Sequence, residues 1–212
     1  SLLTGLYAHQ AGIGRMSEDP GSRPEKEESC PDGYKGFLNR SCVTIAEVLK
    51  SEGYDTYMAG KWHVGMHGQE KWPLQRGFDR FYGILAGACN YLRPQGGRGL
   101  TLDNTKLAPP SQPYYTTDAF TDYALDFISN REKDNPFFLY LAFNAPHWPL
   151  QAKQEDIDRF LHKYDAGWQS IRAARLERMK ALGIIPENCE AAEWESRMWE
   201  ELTDEEKANS SL

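Results

Sequence analysis

The apolar positions of residues 44–59 follow the order of a helix and then a strand. Residues 44–47, Thr-Ile-Ala-Glu, have the sequence of a capping box, which predicts the start of a helix. Apolar residues then recur on one helical face until Gly53, which predicts the end of that helix. Residues 54–59 follow at once and read as a strand. This order predicts half of a βαβ unit.

The same order recurs in residues 117–143. Thr117 is predicted to cap a second helix, with Asp118 in its first turn and apolar residues at helical spacing after it. Residues 137–143, Phe-Phe-Leu-Tyr-Leu-Ala-Phe, show no polar alternation. Such a run predicts a strand that is buried on both faces, as in a parallel sheet covered by helices. Two such units predict an α/β protein, a three-layer α/β/α sandwich with a mostly parallel or mixed sheet.

The other segments carry weaker patterns. Residues 17–36 are rich in Glu, Lys, Pro, Ser and Gly, which predicts a solvated loop, and no chemistry is assigned to its charges. Residues 71–82 predict a turn-rich aromatic segment over the sheet rim, and residues 101–113 a connection or a short hairpin. Apolar residues between 157 and 182 predict one or two amphipathic helices that end at Gly183.

Both ends of the sequence predict elements that are cut short. Residues 1–5, Ser-Leu-Leu-Thr-Gly, read as the last turn of a helix that ends at a glycine. Residues 203–206, Thr-Asp-Glu-Glu, form a capping box that should open a helix, although only six residues follow. We therefore expect residues 1–212 to be the central part of a single domain that is truncated at both ends.

Composition narrows the class of protein. The 212 residues are 40% hydrophobic and include six Trp, which indicates a globular chain. The net charge of -7 comes from basic and acidic residues spread along the chain, which predicts no nucleic-acid partner. No apolar run approaches about 18 residues, so no membrane span is predicted. Cys30 and Cys42 either bridge a surface loop in an oxidising compartment or remain free thiols.

Two segments carry the candidate chemistry. Residues 59–65, Ala-Gly-Lys-Trp-His-Val-Gly, place Lys61 and His63 two positions apart after the first predicted strand. His147 comes just past the carboxyl end of the second. Because ligands of open α/β sheets bind beyond the carboxyl ends of the strands, these three residues are predicted to meet at one rim. A solvated Lys-x-His pair and a structural histidine between prolines are the alternatives.

In these motifs the chain resembles the sulfatases of the alkaline phosphatase superfamily. Residues 1–5 resemble the end of the family signature, in which Cys-x-Pro-Ser-Arg leads into Leu-Leu-Thr-Gly. Residues 60–65 are similar to the second motif, Gly-Lys-Trp-His-Leu-Gly, with Val64 in place of leucine. Residues 75–79, Gln-Arg-Gly-Phe-Asp, and residues 145–150, Ala-Pro-His-Trp-Pro-Leu, also resemble recurring family segments. The motifs occur in the family's order and cover nearly the whole chain.

The resemblance implies a hydrolase that cleaves sulfate esters with a formylglycine, made from the signature cysteine, beside a bound calcium. That cysteine would precede Ser1, and the metal-binding carboxylates would lie upstream and downstream of the chain. No metal ligand is therefore assigned, and the chain alone is expected to be inactive. The resemblance also implies a formylglycine-generating enzyme as maturation partner, a sulfated small molecule or glycan as substrate, and a periplasmic or secreted location.

The family roles carry over to three residues. Lys61 matches the lysine that contacts the formylglycine hydrate and a sulfate oxygen, and His63 matches the base that takes a proton from that hydrate. His147 matches the histidine that helps to bind sulfate and protonates the departing alcohol. These roles suit a compact cation and imidazoles that titrate near neutral pH.

A glycine-rich segment, residues 90–99, is the last candidate for substrate contact. Asn90 and Arg93 lie in a region where the specificity of the family varies, and both are predicted to bind substrate; a plain solvated loop is the alternative. A phosphodiesterase or phosphonate hydrolase of the same superfamily and a non-catalytic sulfatase-like binding protein are the alternative functions.

Overall fold

The computed structural model describes residues 2–22, 26, 28–132 and 134–211, except for the side chain of residue 211. The chain divides into two compact units, Ser1–Gln151 and Ala152–Leu212. The prediction that residues 1–212 are the centre of one longer domain stays a prediction. None of the described helices is long and apolar enough to cross a membrane.

The first unit contains a mixed β-sheet, which in the described residues has five strands in the order β4-β3-β2-β1-β5. The central strand β1 pairs in parallel with both of its neighbours, β2 and β5. The pairs β2-β3 and β3-β4 are antiparallel. The strands are β1 Asp55–Lys61, β2 Arg80–Ile84, β3 Leu100–Leu102, β4 Thr105–Lys106 and β5 Phe137–Ala142.

Helices cover the two faces of this sheet, which confirms the predicted three-layer arrangement. Alternate residues of a strand point to opposite faces. Met58 of β1 packs with Ala46 of helix α1 (Ile45–Ser51) in one apolar cluster. Ala59 packs with Phe120 of helix α2 (Thr116–Ser129) in a second cluster.

The N-terminal ends of α1 and α2 can be compared with the predicted capping residues. The capping box at α1 is confirmed, since the Glu47 N–H donates to Thr44 Oγ1 at 3.1 Å and the Thr44 N–H donates to Glu47 Oε2 at 2.7 Å. The predicted cap at Thr117 is wrong, because α2 begins at Thr116 and Tyr115, two residues earlier, occupies the N-cap without a side-chain bond. The Thr116 N–H donates to the Tyr91 carbonyl instead, which ties the start of α2 to the preceding loop.

Two predictions about strands need correction. Residues 71–82 were expected to form turns over the rim, but this segment leads into β2, an inner strand of the sheet. Short 3₁₀ turns and the left-handed Gly77 shortly before β2 give this stretch a turn-like sequence, so the strand was not predicted. The run at residues 137–143 is not buried on both faces, because in the described residues β5 pairs only with β1 and its side chains are largely half-buried. Phe143, beyond its end, is 41% exposed.

The second unit is helical, as the sequence predicted. Trp168, Trp194 and Trp199 form an aromatic cluster within it. Thr203 and Glu206 form the predicted capping box at the last helix. Its helices are α3 Gln154–Phe160, α4 Gly167–Ala181 and α5 Asp204–Ser211.

Three smaller predictions concern the first unit. Residues 2–4 form a turn and Gly5 is left-handed with φ of 68°, whereas Ser1 lies outside the described residues. Strands β3 and β4 form the predicted short hairpin. Cys30 and Cys42 are buried free thiols and not a disulfide.

Candidate active site

The candidate site begins at the carboxyl ends of two neighbouring parallel strands. Gly60 of β1 pairs with Ala142 of β5, so the two strands end at the same level. This confirms that β1 and β5 lie side by side and send their following residues to one edge. Lys61 is the last residue of β1 and is half-buried, so it lies on the strand and not in a loop as expected. His147 follows five residues after the end of β5.

The backbone of His63 has an unusual conformation. Its φ is 56°, in the left-handed region that a non-glycine residue enters at a cost of about 1 kcal/mol. The His63 N–H donates to the Leu85 carbonyl at 3.1 Å, which continues the pairing beyond the ends of β1 and β2. The imidazole ring then lies beside Gly87, where an added Cβ would overlap Nε2 and Cε1 of His63.

Glu18 is the partner of His63 that sequence reasoning missed. Its Oε2 lies 2.7 Å from Nε2 of His63, and its Oε1 accepts a hydrogen bond from the Gly87 N–H at 2.5 Å. Glu18 belongs to residues 17–36, which were expected to be a solvated loop without chemistry. No local pattern identifies it, since its contact with His63 spans 45 positions and depends on tertiary structure.

Electrostatics link Glu18 to two of the three candidate catalytic side chains, Lys61 and His63. Burial alone would raise the pKa of Glu18, but the Gly87 N–H and the charge and hydrogen bond of His63 together hold that pKa below its ordinary value. Burial lowers the pKa of Lys61, and the negative charge of Glu18 opposes part of this effect. Glu18, Lys61, His63 and the Gly87 N–H therefore form one cluster, which we call the Glu18 cluster.

His147 is exposed, but its ring and backbone are both held. Nδ1 lies 2.6 Å from the Trp148 carbonyl oxygen, and because a carbonyl only accepts, Nδ1 carries a hydrogen and Nε2 remains for a ligand. The buried Tyr91 hydroxyl donates to the His147 carbonyl oxygen at 2.5 Å. The His147 N–H donates to the Asn144 carbonyl at 3.0 Å. These contacts fix the segment that follows β5.

Asn90 and Arg93 lie next to Tyr91 but belong to a local turn. Asn90 Oδ1 accepts hydrogen bonds from the Leu92 and Arg93 N–H groups at 3.0 and 2.8 Å. Both side chains are exposed. Across the described ranges, neither one is bonded to a member of the Glu18 cluster. Their predicted role as substrate contacts stays a prediction.

The family resemblance also implied a calcium site formed by residues outside this chain. Among residues 2–22, 26, 28–132 and 134–211, no three His, Cys, Asp or Glu side chains come together in an arrangement that could hold a metal ion.

Comparison with known proteins settles the family. The family model described as Sulfatase matches residues 1–184, which is most of the chain and includes every candidate site residue. This chain belongs to the sulfatase family. Its sulfatase relatives include an uncharacterized sulfatase of Schizosaccharomyces pombe, which is 36% identical over 99% of this chain and 40% of its own length. An arylsulfatase of Klebsiella aerogenes is 33% identical over 97% of this chain and 45% of its own length.

Solved structures share the fold. The structure of Ps i-CgsB superposes with a TM-score of 0.60 at 30% identity, covering 75% of this chain and 36% of that one. The same protein has been solved in complex with k-i-k-neocarrahexaose. BT4656, in complex with its substrate D-glucosamine-2-N,6-O-disulfate, gives a TM-score of 0.53 at 25% identity, covering 75% of this chain and 26% of that one. The fold is therefore the alkaline-phosphatase-like α/β fold of sulfatases, and the chain spans less than half the length of these relatives.

Proposed function

We propose that residues 1–212 are the central part of a sulfatase catalytic domain and that the full-length protein hydrolyses sulfate esters. The observation that carries this proposal is the placement of Lys61 and His63 with Glu18 at the carboxyl end of β1. The neighbouring parallel strand β5 ends at the same level and leads to His147. The sulfatase family of the chain supports the reaction class.

The three predicted residues would have separate roles. Lys61 places a compact positive charge where a sulfate oxygen binds, in a half-buried position where charges interact more strongly than in water. His63 accepts a proton during the reaction, and Glu18 supplies a nearby negative charge. Nε2 of His147 is directed to the leaving-group oxygen, since Nδ1 is held by the Trp148 carbonyl.

The nucleophile would be supplied by a formylglycine that precedes this chain, and calcium would be bound by carboxylates outside it. The protein would therefore require a formylglycine-generating enzyme for maturation. The described residues of this chain contribute cations, hydrogen-bond donors and proton acceptors to such a site, and these are the groups that a transferring sulfuryl group requires.

The proposed substrate is a sulfated small molecule or glycan. Support comes from two structural neighbours, one solved with a neocarrahexaose and one with a disulfated glucosamine that is its substrate. Besides Lys61 and His147, the proposed substrate contacts are Asn90 and Arg93. Support for this part of the proposal is that both side chains are exposed and lie one and two residues along the chain from Tyr91, whose hydroxyl donates to the His147 carbonyl.

The test uses the full-length protein, produced together with a formylglycine-generating enzyme. We expect hydrolysis of an aryl sulfate to exceed hydrolysis of the matched aryl phosphate. In Lys61→Met, kcat/KM for the sulfate should fall by about 100-fold or more. The matched control is Lys180→Met, which removes the same charge from α4 in the second unit, where Lys180 pairs with Glu177.

Two results would contradict the proposal, each in favour of one alternative. Faster hydrolysis of the aryl phosphate would indicate a phosphodiesterase or phosphonate hydrolase of the same superfamily. Binding of a sulfated ligand without turnover, in protein whose formylglycine is verified by mass spectrometry, would indicate a non-catalytic binding protein.

Location in the periplasm or outside the cell is a further part of the proposal, supported by family membership. Cell fractionation of the native organism with an antibody against the protein tests it. Recovery in the periplasm or the medium is the expected result, and recovery with the cytoplasmic markers would contradict it.

A further inference from the structure

Both carboxylate oxygens of Glu18 make short polar contacts within the Glu18 cluster. Oε1 accepts the Gly87 N–H at 2.5 Å, and Oε2 lies 2.7 Å from His63 Nε2. The side chains of Glu18 and His63 are only 28% and 22% exposed, so water competes weakly for these bonds. The Gly87 N–H therefore fixes the orientation in which the Glu18 carboxylate faces the His63 ring.

This geometry determines which nitrogen of His63 carries the hydrogen. An ionised carboxylate only accepts hydrogen bonds, and the lowered pKa of Glu18 keeps it ionised at neutral pH. Nε2 of His63 must then be the donor. In the neutral ring Nδ1 consequently holds the lone pair, and none of the hydrogen bonds among the described residues uses that nitrogen.

We propose that Glu18 is a positioning residue for His63: it holds the ring in the Nε2–H tautomer, so that Nδ1 is the nitrogen that accepts the proton during catalysis. This inference rests on the proposed function of His63 as a base. When Nδ1 takes the proton, the ring becomes an imidazolium and Nε2 keeps its hydrogen. The negative charge of Glu18 then lies against the new positive charge and stabilises it.

The isosteric variant Glu18→Gln distinguishes this role from simple packing. The Gly87 N–H requires an acceptor, so the carboxamide oxygen of the new side chain should face Gly87. Its NH₂ group would then face His63 Nε2, which can only accept that hydrogen bond as the unprotonated nitrogen. The substitution should therefore convert the ring to the Nδ1–H tautomer.

The experiment records long-range ¹⁵N spectra of the histidine rings of the full-length protein at alkaline pH. The His63 signals are assigned by their loss in His63→Asn. We expect the Nε2–H tautomer in the wild type and the Nδ1–H tautomer in Glu18→Gln. Because the spectra need no turnover, they test Glu18 independently of the sulfatase proposal.

Kinetics supply the second readout. In Glu18→Gln, kcat on an aryl sulfate should fall by about 10²–10⁴-fold with little change in KM, since an inverted tautomer removes the base and leaves binding intact. Glu18→Asp keeps a carboxylate and should recover part of kcat. The matched control is Asp19→Asn, which removes one charge from the adjacent residue, whose bond is to the Met16 N–H.

Three results would overturn the proposal. They are a wild-type ring in the Nδ1–H tautomer, an unchanged tautomer in a folded Glu18→Gln, and a kcat in Glu18→Gln equal to that of Asp19→Asn. The first needs no variant of Glu18, so the proposal can be refuted even if Glu18→Gln does not fold.

Discussion

Gly60 of β1 and Ala142 of β5 face each other so closely that a Cβ on Gly60 would overlap the carbonyl oxygen of Ala142. Gly60 also has φ of 123°, a conformation that residues with a side chain rarely adopt. Glycine at this position therefore lets two parallel strands end together. The close packing of Gly60 against Ala142 therefore brings the chain at Lys61 and the chain that leads to His147 to the same edge of the sheet.

The first prediction is that Gly60→Ala destabilises the protein. We expect the free energy of unfolding to fall by about 3 kcal/mol, because the new methyl group overlaps backbone and the backbone conformation is strained. Urea unfolding of the full-length protein measures the change. Gly97→Ala is the control, since nothing lies within 4 Å of its Cβ position and its φ is not positive. Equal stability of the two variants would contradict the prediction.

The second prediction is that Gly87→Ala lowers activity more than stability. A Cβ there would overlap the His63 ring and lie 2.9 Å from Glu18 Oε1, and both neighbours are side chains that can move. We expect kcat on an aryl sulfate to fall by about 100-fold, because displacement of a catalytic group by about 1 Å has that effect. Thermal unfolding should change little. Gly97→Ala again serves as the control for thermal unfolding, and wild-type kcat in Gly87→Ala would contradict the prediction.

The sequence predicted the part of the site that follows from sheet topology. Two helix-then-strand units imply neighbouring parallel strands, and parallel strands bring their carboxyl ends to one edge. That reasoning placed Lys61 and His147 after adjacent parallel strands; β1 and β5 are adjacent and parallel, although Lys61 is the last residue of β1 and not a loop residue. It failed for β2, where turn signals immediately before a short strand concealed an inner member of the sheet.

Glu18 shows why the rest could not be predicted. Its segment has no hydrophobic periodicity, and its charge resembles the other charges of residues 17–36. The contact with His63 arises only after an irregular chain folds back over the end of β1, where His63 adopts a left-handed conformation. Contacts between a loop residue and a distant strand end depend on tertiary packing, which local patterns do not encode.

The third prediction concerns Tyr91, whose buried hydroxyl donates to the His147 carbonyl. Tyr91→Phe keeps the ring but removes the donor, so the free energy of unfolding should fall by about 1–2 kcal/mol. We also expect kcat to fall by about 10-fold, because the His147 segment loses part of its support. Tyr7→Phe, at a tyrosine that is 79% exposed, is the control. Unchanged stability and kcat in Tyr91→Phe would refute this role.

The fourth prediction follows from the lowered pKa of Glu18. The folded protein holds this pKa below its ordinary value of 4.5, so the unfolded state binds more protons in the interval between the two values. By linkage, the stability that Glu18 contributes is present above the unfolded value and is lost as pH falls through the folded one.

The stability difference between the wild type and Glu18→Gln should therefore be larger at neutral pH than in acid. Urea unfolding of both proteins between about pH 7 and pH 3 measures it. The glutamine variant is the appropriate reference because it keeps the shape of the side chain and cannot titrate. A difference that grows as pH falls would mean that the pKa of Glu18 is raised on folding, and the Gly87 and His63 contacts would then not stabilise its charge.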